Sequence, residues 1–293
     1  MTKTAWLFPG QGSQKSGMGA DLQKTEIGAK RLLEAEDILG WSAIDICQGE
    51  QEILSKTLYT QPCLYAIETI LVDLLHDKGK SPSVVAGHSL GEYVALYAAG
   101  VFDFATGLKL VKRRAELMDR VAGGKMAALI GFKSEELEKL LAETPDVVLA
   151  NDNSAMQVVI SGKPEGVAAI LSQIKVKKAV ELPVSGAFHS PLMASAAEEF
   201  ATVLQSATFS NARVPVLCNV EPSPETNGDI LKERLVKQMT GSVRWRETCL
   251  QLVEEGIESV TEIGPGNVLV GLVKRTCSGL GLENIREVAQ LPA

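Results

Sequence analysis

The sequence contains few cysteines and no long apolar run. Its five cysteines are widely spaced and form no C-x-x-C pair, so the sequence suggests neither a zinc site nor a disulfide framework and favours a reducing compartment such as the cytoplasm. No apolar segment is long enough to span a bilayer, so we expect no membrane association. The N-terminal segment reaches Pro9 and Gly10 too soon for a signal peptide, so we expect no secretory leader.

Positive charge and histidine are also scarce. The 293-residue chain carries a formal net charge of −7, which argues against nonspecific nucleic-acid binding. Only three histidines are present, so a histidine with a catalytic role can be sought by elimination. Hydrophobic residues make up 45% of the chain, enough for a substantial core in one large domain with an insertion, or in two domains.

Apolar runs alternate with helical patterns along most of the chain. Short buried strands are predicted at residues 5–8, 84–86 and 260–263, and apolar residues at helical spacing cover residues 64–75. This alternation is typical of an α/β fold with a parallel sheet.

The middle of the chain follows a different pattern. Strands are predicted at residues 126–130, 146–150, 157–160 and 179–184, with helices at 134–142 and 166–174. The order β-α-β-β-α-β is that of a ferredoxin-like unit. Gly123-Gly124 before it and Ser185-Gly186 after it are candidate hinges. We therefore predict a small ferredoxin-like subdomain, residues 126–188, inserted into a large α/β subdomain formed by residues 1–125 and 189–293.

The motif Gly-His-Ser-Leu-Gly at residues 87–91 lies between a predicted strand and a predicted helix. In a G-x-S-x-G elbow, the glycines permit a strained turn that exposes the serine hydroxyl at the helix N-terminus. Ser89 is therefore a candidate nucleophile. The alternative is a glycine turn with no catalytic role.

A serine hydroxyl needs a neighbouring base, and histidine is the usual one near neutral pH. His76 falls at the end of a predicted helix, where we expect it to be solvated. His88 adjoins Ser89 but points in another direction, so we expect it to support the elbow through a hydrogen bond. His189, at the exit of the predicted small subdomain, is the candidate base, with a buried structural histidine as the alternative. Spacing assigns no acidic third member, and a backbone carbonyl could orient the imidazole instead.

The predicted helix over residues 105–121 has one arginine on its apolar side. Arg114 shares a stripe with Leu110 and Leu117, whereas Arg113 lies on the polar stripe. A buried guanidinium is costly unless it meets an anion. That anion is either an internal carboxylate or a substrate carboxylate, which the planar guanidinium can hold with two hydrogen bonds.

Two backbone amides near the elbow are candidates for an oxyanion hole. Gln11 lies between two glycines at the end of the first strand, and Leu90 directly follows the candidate nucleophile. The loop at residues 12–17 lacks the Lys-Ser/Thr of a phosphate loop, and residues 264–266 do not complete G-x-G-x-x-G. Neither of these glycine-rich loops is therefore predicted to bind a nucleotide.

Several motifs along the chain occur together, and in this order, in one family. They are Phe-Pro-Gly-Gln-Gly-Ser-Gln at residues 8–14, Thr-Gln-Pro at 60–62, Gly-His-Ser-Leu-Gly-Glu-Tyr at 87–93, Arg114, Gln-Val-Val-Ile-Ser-Gly at 157–162, Gly-Ala-Phe-His-Ser at 186–190 and Glu-Ile-Gly-Pro-Gly at 262–266. With them the chain resembles the malonyl-CoA:acyl carrier protein transacylases of fatty-acid synthesis over nearly its whole length. The resemblance implies a hydrolase-like large subdomain with a ferredoxin-like insertion. The Gly-Ala-Phe before His189 is similar to that of discrete polyketide malonyltransferases as well.

The resemblance implies catalytic roles for the central residues. Ser89 would be acylated, His189 would act as the base, and the amides of Gln11 and Leu90 would form the oxyanion hole. Arg114 is similar to the family arginine that binds the free malonyl carboxylate.

Four further residues match the family by position. Gln61 is similar to the glutamine near the acyl group, and Gln238 to the residue whose main-chain carbonyl orients the histidine. Asn153 and Gln157 match the region near the cofactor arm.

The implied reaction transfers malonyl from malonyl-CoA to the phosphopantetheine thiol of acyl carrier protein through a malonyl-serine. The resemblance implies no metal and no permanently bound cofactor, and we expect a monomer. Since both partners are anionic, the basic runs at residues 175–178 and 274–275 are candidate docking sites, with solvated surface as the alternative. The competing functions are a polyketide malonyltransferase acting in trans, an acyl hydrolase on the same scaffold, an esterase, and a silent carrier-docking module.

Overall fold

The computed structural model describes residues 2–184 and 186–292. Their strands are β1 (Thr4–Phe8), β2 (Val84–Gly87), β3 (Lys125–Ile130), β4 (Val147–Ser154), β5 (Gln157–Gly162), β6 (Lys178–Glu181), β7 (Val216–Leu217), β8 (Ser259–Ile263) and β9 (Gly281–Ile285). Their α-helices are α1 (Glu26–Leu39), α2 (Ala43–Gln48), α3 (Gln51–Leu54), α4 (Thr57–Asp77), α5 (Gly91–Ala98), α6 (Phe104–Arg120), α7 (Ser134–Glu143), α8 (Pro164–Gln173), α9 (Ala194–Ser206), α10 (Gly228–Gln238), α11 (Trp245–Glu254) and α12 (Val268–Thr276).

The larger sheet has five parallel strands in the order β7-β2-β1-β8-β9. Its central strand β1 is buried on both faces. Trp6 and Phe8 contribute to the core on one side, and Ala5 and Leu7 to the core on the other. Burial on both faces explains why this strand reads as a continuous apolar run. The predicted α/β class is confirmed.

The smaller sheet has four antiparallel strands in the order β4-β5-β3-β6, the arrangement of a ferredoxin-like unit. Side chains alternate across β3. Ala127 and Leu129 join a separate core that includes Leu137 of α7 and Val167 of α8. Met126 and Ala128 face the opposite side, where they line a cavity. The subdomain boundaries stay a prediction, and the hinge residue Ser185 lies outside the described residues.

Three elements differ from those predicted by three or more residues at one end. Helix α4 begins at Thr57, seven residues before the predicted start, and it contains Pro62. Strand β4 continues to Ser154, since its polar second half pairs with β5 through two register irregularities. Strand β6 ends at Glu181: the N–H of Leu182 still donates to Met126 O at 2.9 Å, but the N–H of Val184 turns back to Leu182 O.

The smaller sheet meets the rest of the chain where β4 passes Val243, which lies just before α11. The N–H of Val243 donates to Ala150 O at 2.8 Å, and the N–H of Asp152 donates to Val243 O at 2.9 Å. Arg246 of α11 also pairs with the Asp152 carboxylate at 2.9 Å. Over residues 2–184 and 186–292, the structure contains no helix that is both long and apolar enough to cross a membrane.

Candidate active site

The elbow at residues 87–91 connects β2 to α5 as the motif predicted. Ser89 has a φ of 52°, in the left-handed region that side chains rarely adopt. The flanking glycines are required by crowding: a Cβ on Gly87 would lie 1.9 Å from the backbone of Gly91, and one on Gly91 would lie 2.0 Å from Phe8 O. The turn therefore presents the Ser89 hydroxyl at the start of a helix, beside the end of β1.

His189 lies beside Ser89, although the two residues are 100 positions apart in the chain. Its Nε2 lies 2.8 Å from Ser89 Oγ, while its Nδ1 lies 2.9 Å from Gln238 O and 3.2 Å from Gly241 O. Carbonyl oxygens only accept hydrogen bonds, so Nδ1 carries the proton and Nε2 is left to accept from the serine hydroxyl. His189 also has a positive φ, 57°.

The electrostatic setting of His189 favours the neutral imidazole. Burial, and next the charge of Arg114, lower the pKa of His189 to about 3. A neutral imidazole is the form that can take a proton from Ser89. No carboxylate contacts the imidazole among the described residues, so the two carbonyls provide the orientation that an acid gives elsewhere.

The inward orientation predicted for Arg114 is confirmed: the side chain is fully buried. Its Nη1 donates to Gln61 Oε1 at 2.7 Å, and its Nη2 donates to Gln238 Oε1 and to Ser89 Oγ, both at 3.1 Å. The ring of Tyr93 lies under the guanidinium at 5.3 Å. In the described part of the chain Arg114 forms no ion pair, so the structure does not support the internal salt bridge. Arg113, one residue earlier, pairs with surface carboxylates instead.

Gln238 contacts most of the other polar residues of the site. Besides its contacts with His189 and Arg114, its Nε2 donates to Ser89 O at 2.8 Å and to Glu92 Oε2 at 2.9 Å. Glu92 is fully buried, and burial raises the pKa of its carboxyl. Gln238 thus separates the buried arginine from the nearest carboxylate, and leaves the guanidinium with neutral partners only.

Gln11 and Leu90 line the same cavity. Gly10 brings the two loops together, since a Cβ at that position would lie 2.4 Å from His88 O and 3.7 Å from Leu90 N. Across the described residues, neither the Gln11 nor the Leu90 N–H donates a hydrogen bond within the protein. Two unused N–H groups beside a serine hydroxyl can accommodate a developing oxyanion.

Asn153 and Gln157 line the cavity from the smaller sheet. Asn153 Oδ1 lies 2.8 Å from His88 Nε2, so His88 bonds across the cleft and not to Ser89. His76 is exposed and stacks on Trp6 with ring centroids 5.2 Å apart. The positions of His76 and His88 therefore leave His189 as the histidine at the serine.

The cavity itself has a volume of about 230 Å³ and is bounded by both sheets. The larger part of the molecule contributes the elbow, the loop after β1 and the first turns of α12. The smaller sheet contributes apolar side chains, among them Met126, Ala128 and Val159. An apolar wall with a few converging polar groups is typical of a small-molecule site.

Two residues of the site were not identified from the sequence. Asn219, just after β7, accepts the Ser89 N–H at 2.7 Å, and Met118 Sδ accepts from Gln61 Nε2 at 3.4 Å. Helical phase would have found Met118, which lies one turn after Arg114. Nothing in the local sequence indicates Asn219, because its partner is 130 residues away.

A serine–histidine pair, two unused amides and a buried arginine define an acyl-transfer site. The chain belongs to the acyl transferase domain family, whose model matches residues 5–292, and it is an acyltransferase. It is 58% identical to the malonyl CoA-acyl carrier protein transacylase of Synechocystis sp. over 99% of both chains. The crystal structure of a Synechocystis malonyl-CoA:ACP transacylase superimposes with a TM-score of 0.98 at 58% identity, over 99% of both chains. A malonyl-transacylase in complex with its type II PKS acyl-carrier protein is 38% identical, with a TM-score of 0.93 over 99% of this chain and 98% of that one.

Proposed function

We propose that this chain transfers the malonyl group of malonyl-CoA to the phosphopantetheine thiol of acyl carrier protein, by way of a malonyl ester on Ser89. The observation that carries the proposal is the position of Arg114. Its guanidinium is buried, has only neutral partners, and lies 3.1 Å from Ser89 Oγ. A buried cation in this position favours an acyl group that brings its own carboxylate.

In the first half-reaction His189 Nε2 takes the proton of Ser89 Oγ, and the oxygen attacks the thioester carbon of malonyl-CoA. The carbonyl oxygen becomes an oxyanion beside the N–H groups of Gln11 and Leu90. The tetrahedral intermediate collapses, the C–S bond breaks, and the CoA sulfur takes the proton back from His189. The products are CoA and malonyl-Ser89, with the malonyl carboxylate held by Arg114.

The second half-reaction reverses these steps with a different thiol. His189 takes the proton of the phosphopantetheine thiol, the sulfur attacks the ester carbon, and Ser89 Oγ leaves with that proton. Neither half-reaction involves an oxidation or a reduction. Gln61 is proposed to hold Arg114 toward the acyl group, Gln238 O to orient His189, and Asn153 and Gln157 to lie along the pantetheine arm.

The experiment that tests the proposal is substitution of Arg114. An enzyme site built around a polar partner can reject an analogue that lacks it by roughly 10⁴-fold. In Arg114→Ala, single-turnover transfer from malonyl-CoA is expected to fall at least about 10²-fold relative to transfer from acetyl-CoA. Arg113→Ala, the adjacent residue with a surface role, is the matched control and is expected to keep the malonyl preference. An unchanged preference in Arg114→Ala contradicts the carboxylate assignment.

The covalent step has its own test. Intact-protein mass spectrometry after mixing with malonyl-CoA is expected to show a malonyl adduct on the wild-type chain and none on Ser89→Ala. An adduct of full yield on Ser89→Ala would place the nucleophile elsewhere. If free malonate accumulates in place of malonyl-carrier, the chain is the alternative acyl hydrolase.

Fatty-acid synthesis is the proposed pathway, with polyketide synthesis as the alternative supported by the 38% identical transacylase bound to a PKS carrier. Single-turnover transfer to equal amounts of a fatty-acid carrier and a polyketide carrier separates the two. We further propose that the chain acts as a monomer in the cytoplasm. The five cysteines support the cytoplasmic location, since all are buried free thiols.

A further inference from the structure

Two side chains bind the backbone of Ser89 in its rare conformation: Gln238 at the carbonyl and Asn219 at the N–H. The Ser89 N–H donates to Asn219 Oδ1 at 2.7 Å, and Asn219 Nδ2 donates to Gly87 O at 2.6 Å. The same amide therefore binds the elbow on both sides of His88. With a φ of 52° at Ser89, these two hydrogen bonds join the strand that enters the turn to the residue at its apex.

The orientation of the Asn219 amide is fixed by its partners. Gly87 O only accepts and the Ser89 N–H only donates, so Nδ2 must face the first and Oδ1 the second. Asn219 is 1% exposed, and its own N–H donates to Glu92 Oε2 at 3.0 Å. The helix that follows the elbow thus holds the Asn219 backbone in place, and burial shields the clamp from bulk solvent.

We propose that Asn219 is a positioning residue for the reaction, which sets the Ser89 hydroxyl against His189 by clamping the elbow in its left-handed turn. The inference rests on the proposed role of Ser89 as nucleophile. Without the clamp, the Ser89 N–H has no partner and the backbone can relax toward negative φ, which swings Oγ away from His189 Nε2. A displacement of about 1 Å in a reacting group can cost about 10²-fold in rate.

Asn219→Ala measures the clamp directly. The rate of Ser89 acylation in a rapid-quench experiment is expected to fall about 10²-fold, while KM for malonyl-CoA stays within about twofold. The malonyl-over-acetyl preference is expected to remain, because Arg114 is untouched. A reduced affinity for malonyl-CoA at a wild-type acylation rate contradicts a positioning role.

Asn284→Ala is the matched control. Asn284 Nδ2 also donates to a backbone carbonyl of the larger sheet, Glu262 O at 3.1 Å, but not at the elbow. This substitution is expected to lower the melting temperature and to leave the acylation rate per folded molecule unchanged. If Asn219→Ala also lowers only the melting temperature and leaves the acylation rate per folded molecule unchanged, the clamp is structural only and the proposal fails.

Asn219→Asp supplies a second readout that a loss of folding cannot imitate. A protonated carboxyl can still donate to Gly87 O and accept from the Ser89 N–H, whereas the ionised form repels Gly87 O. The Glu92 carboxyl, which accepts the Asn219 N–H, opposes ionisation at this position, whereas Arg114 beside Ser89 and Arg234 beside Cys218 favour it. None of these groups removes the repulsion between an ionised carboxylate and Gly87 O. The acylation rate of Asn219→Asp is therefore expected to approach the wild-type rate at low pH and to fall as pH rises, a limb absent from the wild type.

A pH profile of Asn219→Asp that is parallel to the wild type overturns the proposal. Failure of the underlying function is distinguishable, since it would appear as a malonyl adduct on Ser89→Ala. A wild-type acylation rate in Asn219→Ala, together with no adduct on Ser89→Ala, removes only the positioning role.

Discussion

His189 lies in surroundings that oppose its protonation from two directions. It is 3% exposed, and Arg114 places a positive charge on the far side of the Ser89 hydroxyl. Both effects act against the imidazolium, which explains why the pKa of His189 lies near 3 and far below the usual 6.5. As the proposed base, His189 is therefore neutral before substrate binds, although a base of low pKa has little affinity for the proton that it takes.

We expect the rate of Ser89 acylation by malonyl-CoA to be independent of His189 protonation between about pH 5 and pH 8. The neutral form predominates above the pKa, so activity that depends on it is lost only as pH falls toward that value. Imidazole NMR of the free enzyme, with His189→Gln to assign the signal, gives the midpoint, and rapid-quench acylation gives the kinetic profile. A midpoint near 6.5 in either measurement contradicts the lowered pKa.

Sequence reasoning identified the site residues that are marked by a feature of the nearby sequence or by composition. Ser89 is identified by its motif, His189 by elimination among three histidines, and Arg114 by helical phase. Gln238 was identified only through the family resemblance, and Asn219 not at all. Their partners lie 49 to 149 residues away, and a hydrogen bond across such a separation leaves no trace in spacing.

The loop after β1 and the turn before α5 touch through glycine backbones. A side chain at Gly10 has no room, since its Cβ would lie 2.4 Å from His88 O. This contact places the Gln11 amide beside the Leu90 amide, so the proposed oxyanion hole depends on how closely the loops after β1 and β2 approach each other.

Gly10→Ala is expected to separate the two loops and to reduce the acylation rate by about 10²-fold, the usual cost of losing one oxyanion donor. Gly271→Ala is the control, because a Cβ there would lie 3.6 Å from Arg275 Nη2, an ordinary contact, and alanine favours the helix. The two variants are compared by rapid-quench acylation at saturating malonyl-CoA and by thermal melting. Full acylation by Gly10→Ala would mean that the Gln11 amide does not stabilise the oxyanion.

The elements were predictable wherever apolar periodicity was strong. Residues 126–174 gave the five-element order β-α-β-β-α that the structure contains, and the turn at 264–267 leads from β8 into α12. The second half of β4 was missed because residues 151–154 are polar, and a polar strand resembles a loop in sequence. It is ordered by pairing with β5 and with Val243, contacts that come from the tertiary fold.

One face of the smaller sheet has a core of its own, while Met126, Ala128 and Val159 on the other face belong to the main core of the molecule. The cavity is lined from this second face, so its shape depends on the seam between the smaller sheet and the rest of the chain. At that seam the Asp152 carboxylate is largely buried, and its main charged partner is Arg246. Burial raises the pKa of Asp152, while Arg246 opposes the shift. Removing the arginine leaves a carboxylate that is costly to ionise in the folded protein.

Arg246→Met is therefore expected to destabilise the chain by about 1 kcal/mol at neutral pH, less than for a fully buried pair because Arg246 is 45% exposed. In the variant the folded-state pKa of Asp152 lies further above the unfolded value of about 3.9. The variant therefore loses stability relative to the wild type as pH rises from the unfolded pKa through the folded one, and the difference in unfolding free energy is smallest near pH 4. Urea denaturation of wild type and variant at both pH values measures it. Asp152→Asn added to Arg246→Met is expected to remove the pH dependence of this difference. Lys163→Met, which breaks the exposed ion pair with Asp146, is the matched control and is expected to cost under about 0.5 kcal/mol. An Arg246→Met deficit of equal size at both pH values would show that Asp152 does not bear the charge at the seam.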